Sequence, residues 1–140
     1  MALSSNQEIQ TYPSLTRWEY PVLAGALHFY KNAICNLQAG GFVKLGADAA
    51  SESFAGIALE ELDQAAGGAN GDNIIKVIPF KSGEVVKLTL TGVVRADVGV
   101  DAFVVDDGSV ALAATTTNDV RVGTIIDLAE SANECLVKLD

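Results

Sequence analysis

Lys81-Ser-Gly-Glu-Val-Val-Lys-Leu-Thr-Leu-Thr-Gly92 decides the fold class of this chain. Val86, Leu88 and Leu90 alternate with Lys87, Thr89 and Thr91. A period of two places one set of side chains against a core and the other in water, which is a half-buried β-strand and not a helix. Gly92 then interrupts the phase, and a bulge is expected there. Upstream, Pro79-Phe80-Lys81-Ser82-Gly83 reads as a turn behind the apolar run Ile74-Ile75-Lys76-Val77.

The same pattern extends in both directions. Toward the N-terminus, strands are expected at Leu27–Tyr30, Ala33–Leu37, Phe42–Leu45 and Ser53–Leu59, broken at Lys31-Asn32 and Ala39-Gly40-Gly41. Toward the C-terminus, Phe103–Val105 runs into Asp106-Asp107-Gly108, a hairpin signal. Val120–Asp127 alternates again, and Leu136–Leu139 follows a polar turn. Ala47–Glu52, Glu60–Ala66 and Ala96–Gly99 could each form a turn or two of helix. Short strands evenly spaced by turns predict an all-β, antiparallel small barrel or sandwich with at most one or two short helices. Phe42-Val43 before Ala55-Gly56-Ile57-Ala58 is echoed by Phe103-Val104 before Val122-Gly123-Thr124-Ile125, too faintly to establish a duplication.

Residues 1–22 stand apart as an extended N-terminal arm, leaving 23–140 as the single β domain. The arm carries Tyr12, Pro13, Trp18, Tyr20 and Pro21 with neither helical nor alternating order. It is either a strap over its own barrel or an arm that buries its aromatics on a partner, as interface Trp and Tyr do.

The chain's 140 residues fit one domain able to bury roughly 70% of its unfolded surface. Apolar residues make up 49% with Tyr counted and Gly not, and charged residues 19% where about 25% is usual. That excess suggests surface buried against other subunits. A net charge of −9 and nine scattered Lys and Arg argue against nucleic acid and anionic membrane as partners. No apolar run reaches spanning length, and MALSSNQEIQ lacks the basic start and apolar core of a secretory signal. Synthesis in the cytoplasm is therefore expected, with Cys35 and Cys135 as buried thiols and not a disulfide.

The residues that could carry chemistry are few. His28, the only histidine, lies in LAGALHFY, where a strand histidine bonded to a neighbouring carbonyl is expected. A triad needs a nucleophile–base pair, and no Gly-x-Ser-x-Gly elbow is present. Two distant cysteines and one histidine do not supply zinc spacing. The acidic groups Glu60, Glu61, Asp63 and Asp97, Asp101, Asp106, Asp107 lack calcium-loop spacing and read as a solvated rim. Gly67-Gly68-Ala69-Asn70-Gly71-Asp72 lacks the Gly-Lys-Ser/Thr of a phosphate loop and is expected to be a flexible connection. Lys81 lacks the flanks of a carrier-domain lysine. No catalytic residue, cofactor, metal or small-molecule substrate is expected.

From about Ala24 onward the serial order HFYKNAICNL, FVKLG, FAGIALEE, GGANGD, IIKVIPF, KSGEVVKLTLTG, ADVGVDAFVVDDGSVAL, VGTIIDL and CLVKLD resembles the small β-barrel head decoration (capsid cement) proteins of tailed phages. Each motif is only a strand with its turn, so the likeness lies in their order over most of the chain. The resemblance implies a structural virion protein on the outer capsid surface, a homotrimer that binds the major capsid protein of the expanded shell and ties subunits together. Under it Tyr12, Pro13, Trp18 and Tyr20 become candidate capsid contacts. A receptor- or glycan-binding fibre or adhesion module is the alternative, recognisable by an exposed aromatic platform.

Overall fold

The computed structural model describes residues 17–140. It is all-β and antiparallel: β1 (Trp18–Pro21), β2 (Leu27–Phe29), β3 (Ile34–Leu37), β4 (Val43–Leu45), β5 (Ser53–Ala58), β6 (Leu62–Gln64), β7 (Ile74–Pro79), β8 (Val85–Thr89), β9 (Asp101–Val104), β10 (Val110–Ala111), β11 (Arg121–Leu128) and β12 (Glu134–Lys138). One sheet runs β1-β7-β5-β3-β4, a second β10-β9-β11-β12-β8, and β2 pairs with β6. Each large sheet curls until a single parallel bridge joins its two edges, Val22 to Val43 in the first and Thr89 to Ser109 in the second.

The central part of the first sheet, β3 and β5, is buried on both faces and so separates two cores. Ile34, Phe54 and Ile57 join Leu88, Leu90, Val104, Val122, Ile125, Val137 and Leu139 of the second sheet's region. Cys35, Ala55, Ala58, Ile75 and Val77 point the other way, onto Phe29 and Val22. A strict period of two in β5 would not place Phe54 and Ile57 on one face. The register slips between Cys35–Gly56 and Asn36–Phe54, so Ala55 is an extra residue that resets the phase. FAGIA is buried at every position because β5 has a core on each face, and the bulge decides which residues face which core.

Gly56 and Gly123 explain the internal echo. A side chain on Gly56 would meet the Ile78 carbonyl oxygen at 2.4 Å, and one on Gly123 the Lys138 carbonyl oxygen at 2.0 Å. Both lie at bulges in the central strand of a sheet, where a neighbouring backbone comes too close for a Cβ. The similarity ends there, because β4 does not pair with β5 whereas β9 pairs with β11.

Several local expectations are corrected. Gly92 is not a bulge but a left-handed turn residue (φ 77°) after β8, its N–H bonded to Asn133 Oδ1. The segment 60–66 is not helical: Leu62–Gln64 is β6, held because Gln64, 2% exposed, donates to the Leu23 and Gly25 carbonyls at 2.7 Å each and accepts from Asn73. Residues 47–52 form turns without a helix, and near 96–99 there is a 3₁₀ turn at Arg95–Asp97. The glycine-rich segment is not a loose connection. Asn70 accepts from Ala24 N–H, Gly71 N–H bonds Val22 O, and Gly68 O accepts from Gly25 N–H, stitching it to residues 22–25.

Candidate functional site: the β1–β7 edge

Of the four candidate contact residues, Tyr12 and Pro13 lie outside the described residues. Trp18 and Tyr20 lie in β1, an edge strand of the first sheet. Register pairs Trp18 with Val77, Glu19 with Lys76, Tyr20 with Ile75 and Pro21 with Ile74. Residues paired this way share a face. Tyr20 therefore packs with Ile75 over the smaller core, where burial raises its phenol pKa, while Trp18 projects past the core's rim, 49% exposed. Val22 is fully buried. The last residues of the 1–22 arm thus belong to the protein's own sheet.

The outward edge of β1 is a poor template for another strand. Val22 N–H bonds Asn73 O, so the alternation of an antiparallel ladder turns Tyr20 and Trp18 toward β7 and Glu19 and Pro21 outward. Pro21 has no N–H to offer there, which blunts the edge. What this edge presents outward is therefore side chains and not a free strand ladder. Arg17, Trp18, Glu19 and Lys76 line an open groove of about 440 Å³. Lys76 Nζ lies 4.0 Å from Glu19 Oε1. Ile74, 55% exposed, adds an apolar side chain on the opposite face from Trp18. Two cations beside a tryptophan make this a locally less acidic place on a protein of net charge −9.

His28 is placed differently from expectation. Its Nε2 lies 2.7 Å from Glu61 Oε1 and its ring stacks on Tyr30 at 4.1 Å, so a surface carboxylate, not a carbonyl, is its partner. It faces outward because Leu27 and Phe29, its neighbours on β2, face the core. Cys35 and Cys135 are both buried and free, and they sit in different cores. Burial pushes the Cys35 thiol up to about 12.

Most of the acidic residues do local structural work. Asp106 Oδ1 accepts from Gly108 N–H and Ser109 Oγ, closing the β9–β10 hairpin that Asp-Asp-Gly foretold. Asp97 accepts from Val94 N–H. Asp48 takes the N–H groups of Thr117 and Asn118 at 2.7 and 2.8 Å, which hold its carboxyl below the usual range. Arg121 is caged by Asp101 and Asp140, and Asp127 is bonded by Arg95; Asp140 and Asp127 are lowered by those guanidinium partners. Sequence reading missed Asp48 and Arg121, whose partners lie far along the chain. Among the described residues, no group of three His, Cys, Asp or Glu side chains could hold a metal ion. No described helix is long and apolar enough to cross a membrane.

Comparison with protein-family models, with curated proteins and with solved structures finds no match.

Proposed function

We propose that this chain is a non-enzymatic structural virion protein that binds the outer surface of an expanded phage capsid, in contact with its major capsid protein, and cements neighbouring subunits as a homotrimer. The observation that carries this reading is that the decoration-protein-like segments, in their serial order, are the strands and turns of one all-antiparallel fold. A second support is the surface. Trp18, Ile74, Val85, Val94, Val100 and Ile126 each remain more than two-fifths exposed, apolar area that subunit contacts would cover. The chain's charge favours the outer face of a shell over the side that meets packaged DNA.

A cement protein acts by mass action: binding the expanded lattice and not its alternatives converts binding energy into shell stability. Residues 1–22 supply the candidate contacts Tyr12, Pro13, Trp18 and Tyr20, with Trp18 and its groove the described part. Co-sedimentation of the purified protein with expanded heads, and with unexpanded heads as control, tests the reading. Saturable binding to expanded heads alone is expected; binding to neither form overturns it. Exposed Trp18 between Arg17, Glu19 and Lys76 favours one second reading, a glycan-binding fibre module, which binding to glycans but not to heads would support.

A further inference from the structure

We propose that Asn36, Lys44 and Glu52 form a self-crosslinking site in which the Lys44 amine and the Asn36 side-chain amide join in an isopeptide bond, with Glu52 moving the protons. Asn36 and Lys44 lie on the face of the first sheet that looks toward the larger core, and Glu52 pairs with Lys44. Antiparallel register sets Lys44 of β4 directly across from Asn36 of β3, and Phe54 of β5 across from Asn36 on its other side. Directly opposed side chains in such a pair start roughly 5 Å apart at Cβ. Lys44 Nζ lies 2.7 Å from Glu52 Oε1.

Burial makes this more than a surface ion pair. Asn36 is fully buried, and the Glu52 side chain is 8% exposed. The Asn36 Nδ2 group donates to the Ala47 carbonyl at 2.8 Å, which fixes the plane of the amide. Asn36 Oδ1 and Glu52 Oε2 are both buried and both without a hydrogen-bond partner. Two orphan acceptors in one cluster are costly, since each forfeits its hydration for nothing. Gln64, the other buried amide, has every contact satisfied, so the deficit at Asn36 is specific. A proton taken from Lys44 would turn the buried Glu52 carboxylate into an O–H donor for an unpartnered acceptor such as Asn36 Oδ1. The same proton polarises the amide carbonyl for attack.

The reaction balances without any outside reagent. Lys44 hands one ammonium proton to Glu52, and the freed lone pair on Nζ attacks Asn36 Cγ. Glu52 stabilises the developing oxyanion through its O–H group. The tetrahedral intermediate collapses with cleavage of Cγ–Nδ2. The departing nitrogen takes the bond's electron pair and, through Glu52, the two protons that Nζ gives up, and leaves as ammonium. Nothing is oxidised or reduced, and Glu52 ends as the carboxylate. The Lys44 side chain is 30% exposed, and a lysine activated by a neighbouring base is ordinary nucleophilic chemistry. The product ties β4, a three-residue strand whose ladder is with β3, covalently to that neighbour.

Tryptic digestion of the denatured full-length protein, read by mass spectrometry, tests this directly. Trypsin does not cut at an acylated lysine, so residues 32–76 should emerge as one peptide lighter by one ammonia. In Glu52→Gln the cut after Lys44 should return, giving 32–44 and 45–76 at their sequence masses. Cleavage after Lys44 in the parent protein, with both peptides at full mass, overturns the proposal whether or not the variant folds.

Discussion

Replacing Gly123 with alanine should be among the most damaging single-methyl changes available to this protein. The added Cβ would lie 2.0 Å from the Lys138 carbonyl oxygen, 2.9 Å from its carbon and 3.1 Å from Val137 Cγ1. Ordinary contact begins near 3.4 Å, so β12 would have to move by about 1.4 Å, and the obstacle is backbone that cannot rotate away. Such a shift breaks the ladder where Thr124 faces Lys138 and Ile125 faces Val137, and it opens the larger core around Ile125 and Val137. Overpacking together with lost ladder bonds should cost roughly 2–4 kcal/mol. At this chain length that is a melting-temperature drop of roughly 8–14 °C. Gly67→Ala is the control: no atom lies within 4 Å of the place its methyl would take, and reduced freedom of the unfolded chain should leave stability level or about 0.4–1 kcal/mol higher. Calorimetry or thermal circular dichroism reads both. A Gly123→Ala drop of less than about 3 °C would refute the close approach of β11 and β12.

Gln64→Leu should cost roughly 2–4 kcal/mol in urea denaturation, because the Leu23 and Gly25 carbonyls and the Asn73 amide all lose their partner; a cost below about 0.5 kcal/mol would contradict the stitching role. The carboxyls of Asp48, Asp127 and Asp140 are held below their ordinary value in the fold. Their contribution is therefore complete above the unfolded pKa of about 3.9 and is lost as pH falls through the folded values. Melting temperature should decline below about pH 4, and Asp48→Asn should flatten that decline; an unchanged acid profile would contradict the assignment. Removing residues 1–16 should leave a folded protein that fails to bind expanded heads, whereas removing 1–22 should also destabilise it, because β1 and the buried Val22 go with it. Equal melting temperatures for the two truncations would count against β1 as part of the sheet, and full head binding without residues 1–16 against the arm.

The regular parts of the fold are legible in the sequence because they depend on near neighbours. Val86, Leu88 and Leu90 turn inward as their alternation requires, and Asp106-Asp107-Gly108 makes its hairpin. What stays hidden depends on partners far along the chain. The bulge at Ala55 is a matter of register against β3, and FAGIA by itself reads as a plain strand. Leu62–Gln64 looks helical in isolation, but Gln64 answers to carbonyls at 23 and 25. Trp18 and Tyr20 stand out as aromatics, yet only pairing with β7 reveals that Tyr20 packs on the core and Trp18 protrudes. Nothing in the spacing of Asn36, Lys44 and Glu52 hints that one sheet face gathers them.

The cement function itself is tested most directly by head rupture. Expanded heads packed with DNA would be heated or treated with chelator, with and without saturating protein, and released DNA measured. Release shifted to higher temperature in proportion to occupancy, and lost again with protein lacking residues 1–16, is the predicted result. Identical release with and without bound protein would contradict the account.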